Sequence, residues 1–112
     1  MNRASRPVTI RGMEYRLEKT LAVVECLATQ GIPIQERLVS AMMAMSALQA
    51  KDFPKDMRQE YLDLWAEVTS FDSAGKDASI RATVSQMSDE VAEQFAQRIV
   101  ALLGELADRC EA

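Results

Sequence analysis

The sequence predicts an all-α fold, a compact four-helix up-and-down bundle with a short extra helix over 79–87. Three observations carry the expectation. Apolar residues recur at three- and four-residue steps through most of the 112 positions, turn-formers such as Gly31, Pro33, Pro54 and Gly75 fall between those stretches, and the one alternating stretch has no second strand to pair with. Four amphipathic stripes joined by short links are buried most simply as a bundle. At 48% hydrophobic and 27% charged residues the composition is that of one folded domain, placed at 12–112 behind a flexible basic arm at 1–11.

From Gly12 the first helix runs through Met13, Leu17, Leu21, Val24 and Ala28, a spacing that sets these side chains on one face. Gly31 ends it, and Pro33 starts the next helix, so the first two helices should form a hairpin. The second helix is expected from about Pro33 to Ala50, with a core stripe of Ile34, Leu38, Ala41, Met42, Met45 and Leu48. No charged residue occurs between Arg37 and Lys51, and Val39, Met43 and Ala50 point away from the stripe. A helix apolar nearly all round is buried on more than one side, in the centre of a bundle or against another chain.

Lys51-Asp52-Phe53-Pro54 opens the third helix, with Asp52 or Phe53 as its cap. Met57, Tyr61, Leu64, Val68 and Phe71 form its apolar stripe, and Asp56, Glu60, Asp63 and Glu67 follow the same steps one residue earlier as an acidic face. Residues 72–78 are small and polar, a loop. Ile80, Val84 and Met87 then fit a short helix, and Ser88 followed by Asp89 and Glu90 caps the longest one, through Val91, Phe95, Ile99, Leu102, Leu103, Leu106 and Cys110.

The inventory narrows the chemistry. Without a single histidine, and with cysteines only at 26 and 110, zinc sites, haem ligation and histidine-based triads lack their residues. Gly75-Lys76 lacks the remaining glycine and hydroxyl of a phosphate-binding loop. Acidic pairs are the only catalytic material in quantity. Glu60, Asp63, Glu90 and Glu93 could hold magnesium only in the reverse of the order used by helical nucleotide phosphohydrolases, and Glu105/Asp108 lies about 22 Å from Glu90/Glu93 along one helix. No cofactor and no metal site are expected. No apolar run approaches the roughly 18 residues of a membrane span, and a secretory leader is not evident, so a cytoplasmic protein without membrane contact is expected.

The runs Gly31-Ile32-Pro33-Ile34-Gln35-Glu36-Arg37-Leu38, Asp52-Phe53-Pro54 and Ala96-Gln97-Arg98-Ile99-Val100-Ala101-Leu102 give the chain a layout that resembles small uncharacterised all-helical bacterial proteins. The likeness implies a helical fold and a bacterial origin, and carries no activity onto any residue.

The expected function is a non-enzymatic protein–protein interaction module, a small acidic adaptor, regulator or inhibitor and a homodimer. Leu38, Val39, Met42, Met43 and Met45 would form its interface, since methionine repacks easily against varied partners. Tyr15 and Cys26, nearly opposite the Leu17 stripe, are either surface or a second contact face, and the acidic face offers an electrostatic one. The alternative is nucleic-acid binding. Residues 1–19 carry net +3, with Arg3, Arg6, Arg11 and Arg16, against −7 for the remainder, a pattern that also fits an arm neutralising its own domain. A magnesium-dependent phosphohydrolase is the second alternative.

Overall fold

The computed structural model describes residues 5–111, with side chains for residues 14–109. Five helices follow in order: α1 (Ser5–Ala28), α2 (Ile34–Met45), α3 (Arg58–Val68), α4 (Lys76–Ser85) and α5 (Asp89–Glu111). Two 3-10 turns, Ala50–Asp52 and Lys55–Met57, lie between α2 and α3. The fold is all-helical as predicted, the ambiguous stretch is the helix α4, and no strand occurs among the described residues.

Helix α1 begins at Ser5, upstream of the Gly12 start expected from the apolar spacing. Pro7 falls in the first turn, where a missing N–H needs no partner. The helix is turned from its predicted orientation by about a quarter turn. Thr20, Val23 and Leu27 are buried, whereas Leu21 is 57% exposed, Ala28 is exposed, and Leu17 and Val24 are half-buried. The reason lies in two apolar shoulders, Leu17/Val24 on one side and Ala22/Cys26 on the other. Wedged between two neighbours, α1 points the direction between its shoulders inward.

Gly31 takes φ +79°, and the Arg37 guanidinium then reaches back to the chain reversal, donating to Leu27 O at 2.9 Å and Ile32 O at 2.8 Å. Tyr15 donates its hydroxyl to Ala47 O at 2.9 Å, so α1 and α2 run antiparallel as the expected hairpin.

Helix α2 ends at Met45, five residues before Ala50. The chain tightens there into i→i+3 bonds, Ser46 N to Met43 O, Ala47 N to Ala44 O and Leu48 N to Met45 O. Leu48 stays in the core because this tighter turn keeps it on the inner side, and its carbonyl accepts from the buried Tyr61 hydroxyl at 2.6 Å. Asp52 caps a 3-10 turn, accepting from Gln49 N at 2.8 Å, and Arg58 binds the two 3-10 turns together through Ala50 O and Phe53 O. Helix α3 therefore starts later than the Phe53-Pro54 turn and stops at Val68, where the Thr69 and Ser70 hydroxyls bond back to Trp65 O and Glu67 O. That stop leaves Phe71 outside the stripe and 52% exposed.

Gly75, at φ +100°, sets the start of α4 at Lys76, inside the predicted loop; Ile80 and Val84 are buried. Ser88 caps α5 as predicted, its hydroxyl accepting from Val91 N at 3.2 Å. Ala92, Phe95, Ala96, Ile99, Leu102, Leu103 and Leu106 form the buried side of α5. Val91, in the first turn, lies outside it and is exposed. The Cys110 side chain is outside the described residues.

Candidate functional site

The helix expected to meet a partner is the centre of the chain's own core. Leu38, Met42 and Met45 are fully buried, Val39 is buried, and Met43 is half-buried against the same cluster. The correction has a simple cause: α1, α4 and α5 surround α2, so its second apolar side is covered by its own chain. Tyr15 remains half exposed beside Ala47, and Cys26 is a half-buried free thiol packed against the core. Tyr15 marks the seam between the start of α1 and the end of α2.

The acidic face of α3 is met by arginines from α5. Arg98 donates to both carboxylate oxygens of Glu67, at 2.8 and 2.9 Å, and makes longer contacts of 3.4 Å to Glu60. About three turns further along α5, Arg109 takes Asp56 through two bonds of 2.9 Å. These guanidiniums hold the Glu67 and Asp56 carboxyls below the usual carboxylate range. Asp63 accepts from Gln59 at 2.8 Å. Three of the four carboxylates are thus matched within the chain, and the face serves as the α3–α5 clamp; sequence periodicity gave no signal for it, because Arg98 lies 31 residues from Glu67.

Among the described residues no group of three or more Cys, Asp or Glu is arranged to hold a metal ion. Glu60 is committed to Arg98, and Glu90 and Glu93 are exposed on α5. Arg3, Arg6 and Arg11 have side chains outside the described residues. Arg16 is half-buried and donates to Asp52 O at 3.4 Å, tying α1 to the 3-10 turn. Among the described residues no helix is long and apolar enough to cross a membrane.

What stays uncovered is the other shoulder of α1. Because Tyr15 lies by α2, the shoulder bearing Leu17, Leu21, Val24 and Ala28 turns toward α5. Near the other end of α1 an open groove of about 500 Å³ lies between Leu27 and Ile34 on one side and Ala96, Val100 and Ala101 on the other, lined from α1 by Leu27 and not by the exposed stripe. Val100 is 45% exposed at its edge. Arg37 also lines the groove, with its Nε bonded to Ile32 O and one Nη to Leu27 O. The Leu17-Leu21-Val24-Ala28 stripe is plain in the sequence; which way it faces was decided by packing, which leaves Leu21 and Ala28 exposed. Compared with known proteins, the chain matches no family model, no curated protein and no solved structure, so its function must be argued from this surface.

Proposed function

We propose that the protein is a non-enzymatic interaction module whose docking surface is the apolar face shared by α1 and α5. The observation that carries this reading is the displaced α1 stripe. A leucine 57% exposed on α1, together with an open groove bounded by Leu27, Ile34, Ala96, Val100 and Ala101, leaves favourable burial unused, and a partner helix laid across α1 and α5 would recover it. Homodimerisation is the version that needs no second gene product, and it moves from α2 to this face.

Leu21 and Val100 are both exposed, so Leu21→Gln with Val100→Gln alters the surface without opening the core. Light scattering during gel filtration reads self-association directly. A mass near twice 12.5 kDa that the double variant returns to the monomer assigns the face to a second copy. For other partners, wild type and an Arg81→Gln control should retain the same proteins from a cell extract while the double variant loses them. Identical retention by all three removes the proposal.

A further inference from the structure

A second pocket, of about 590 Å³, opens between α3, α4 and α5 and shares no lining residue with the α1–α5 groove. Ala66, Met87, Val91 and Phe95 give it an apolar lining, and Val91, 47% exposed outside the buried side of α5, belongs to that lining. The charged residues that line it are Glu67 and Arg98, joined to each other by bonds of 2.8 and 2.9 Å. Thr83 lines it as well and is buried. Its hydroxyl accepts from Phe71 N at 2.9 Å. The hydroxyls of Thr29, Thr69, Ser70 and Ser85 each donate to a carbonyl of the preceding turn, whereas the Thr83 hydroxyl has no acceptor for its proton among the described residues. A buried hydroxyl with an unspent proton at the wall of an apolar cavity calls for an acceptor. Gln94, exposed on the same lining, adds an amide donor.

We propose that this pocket binds a small neutral molecule, a mostly apolar body bearing a carbonyl. The body packs on Met87, Val91 and Phe95, the carbonyl oxygen accepts the Thr83 proton, and the Gln94 amide donates to it from the rim. The volume falls within the roughly 300–1,000 Å³ of small-molecule sites, and an apolar lining with a few placed polar groups is their usual make-up. Neutrality follows from the Glu67–Arg98 pair: an anion would compete with Glu67 for Arg98, and a cation with Arg98 for Glu67. The carbonyl follows from Thr83, since an acceptor satisfies its proton while the bond from Phe71 N stays in place.

The test titrates the full chain with three fluorescent dyes: propionyl-dimethylaminonaphthalene, which is neutral and carries a carbonyl, the same ring without the propionyl group, and the same ring with a carboxylate in its place. The propionyl dye should bind saturably with emission moved to shorter wavelength, and the carboxylate dye about tenfold more weakly. Ala66→Trp, an exposed position on the lining, should fill the pocket and weaken the propionyl dye about tenfold, while Val100→Gln in the other groove leaves it unchanged. Thr83→Val should weaken the propionyl dye about fivefold and leave the dye without a carbonyl unchanged, and Thr83→Ser should restore the difference. Unchanged binding of the second dye also shows that the pocket keeps its shape without the Phe71 bond. Absence of saturable binding, or binding that Ala66→Trp leaves intact, overturns the site. Equal weakening of both neutral dyes by Thr83→Val overturns the carbonyl, and a carboxylate dye that binds as tightly as the propionyl dye overturns neutrality.

Discussion

Replacing Arg98 by methionine keeps an aliphatic stem over the Phe95 ring, whose centroid lies 5.4 Å from the guanidinium carbon, and removes only the charge. Two contacts are then lost, the double bond to Glu67 at 2.8 and 2.9 Å and the longer pair to Glu60 at 3.4 Å. The side chains are 37%, 51% and 41% exposed for Arg98, Glu67 and Glu60, so water and salt screen them. Exposed ion pairs contribute roughly 0.2–1 kcal/mol each, and the parallel geometry to Glu67 belongs near the top of that range. The expected loss is about 1 kcal/mol, or about 4 °C in Tm for a domain of this size. Urea denaturation at 0.05 and 1 M NaCl is the assay. Since screening shortens to about 3 Å in 1 M salt, the difference between wild type and Arg98→Met should fall by half or more. Glu67→Gln should cost nearly as much in the wild type but little in the Arg98→Met background, because the two lose the same interaction. A loss above about 3 kcal/mol, or one that salt leaves unchanged, would refute the reasoning and make Arg98 a packing residue.

Three further outcomes follow from the same structure. Leu27→Ala should cost about 2–4 kcal/mol in urea denaturation whereas Leu21→Ala stays within about 0.5 kcal/mol; the reverse order would mean that α1 faces as the sequence stripe suggests. Tyr61→Phe should cost about 1–2 kcal/mol, since it strands the buried Leu48 carbonyl, and a neutral result would show water replacing the hydroxyl. Stability measured against pH should fall at both ends. Asp56 and Glu67 are held below their ordinary values by arginine, so their contribution is full above about pH 5 and is lost as pH drops through their folded values. Burial raises Tyr61, so its contribution is full below about pH 10 and is lost as pH climbs through its folded value. An acid limb that persists in Arg98→Met combined with Arg109→Met would detach it from the clamp.

The sequence by itself determined where the helices lie and much of what they bury. Gly31 and Ser88 mark a helix end and a helix start for local reasons, a left-handed backbone at one and a hydroxyl cap at the other. The stripes Ile34-Leu38-Ala41-Met42-Met45 and Phe95-Ile99-Leu102-Leu103-Leu106 are buried as their spacing requires. Tertiary structure decided the rest. On α1 two apolar shoulders compete, and the positions of α2 and α5 choose the direction between them, leaving Leu21 outside. On α2 the apolar circumference shows that two sides are covered but not by whom, and α4 with α5 supplies the cover from within the chain. The α3 carboxylates look like a free acidic face until Arg98 and Arg109 are brought across from α5, since periodicity records which residues share a face and not which helix will lie opposite it.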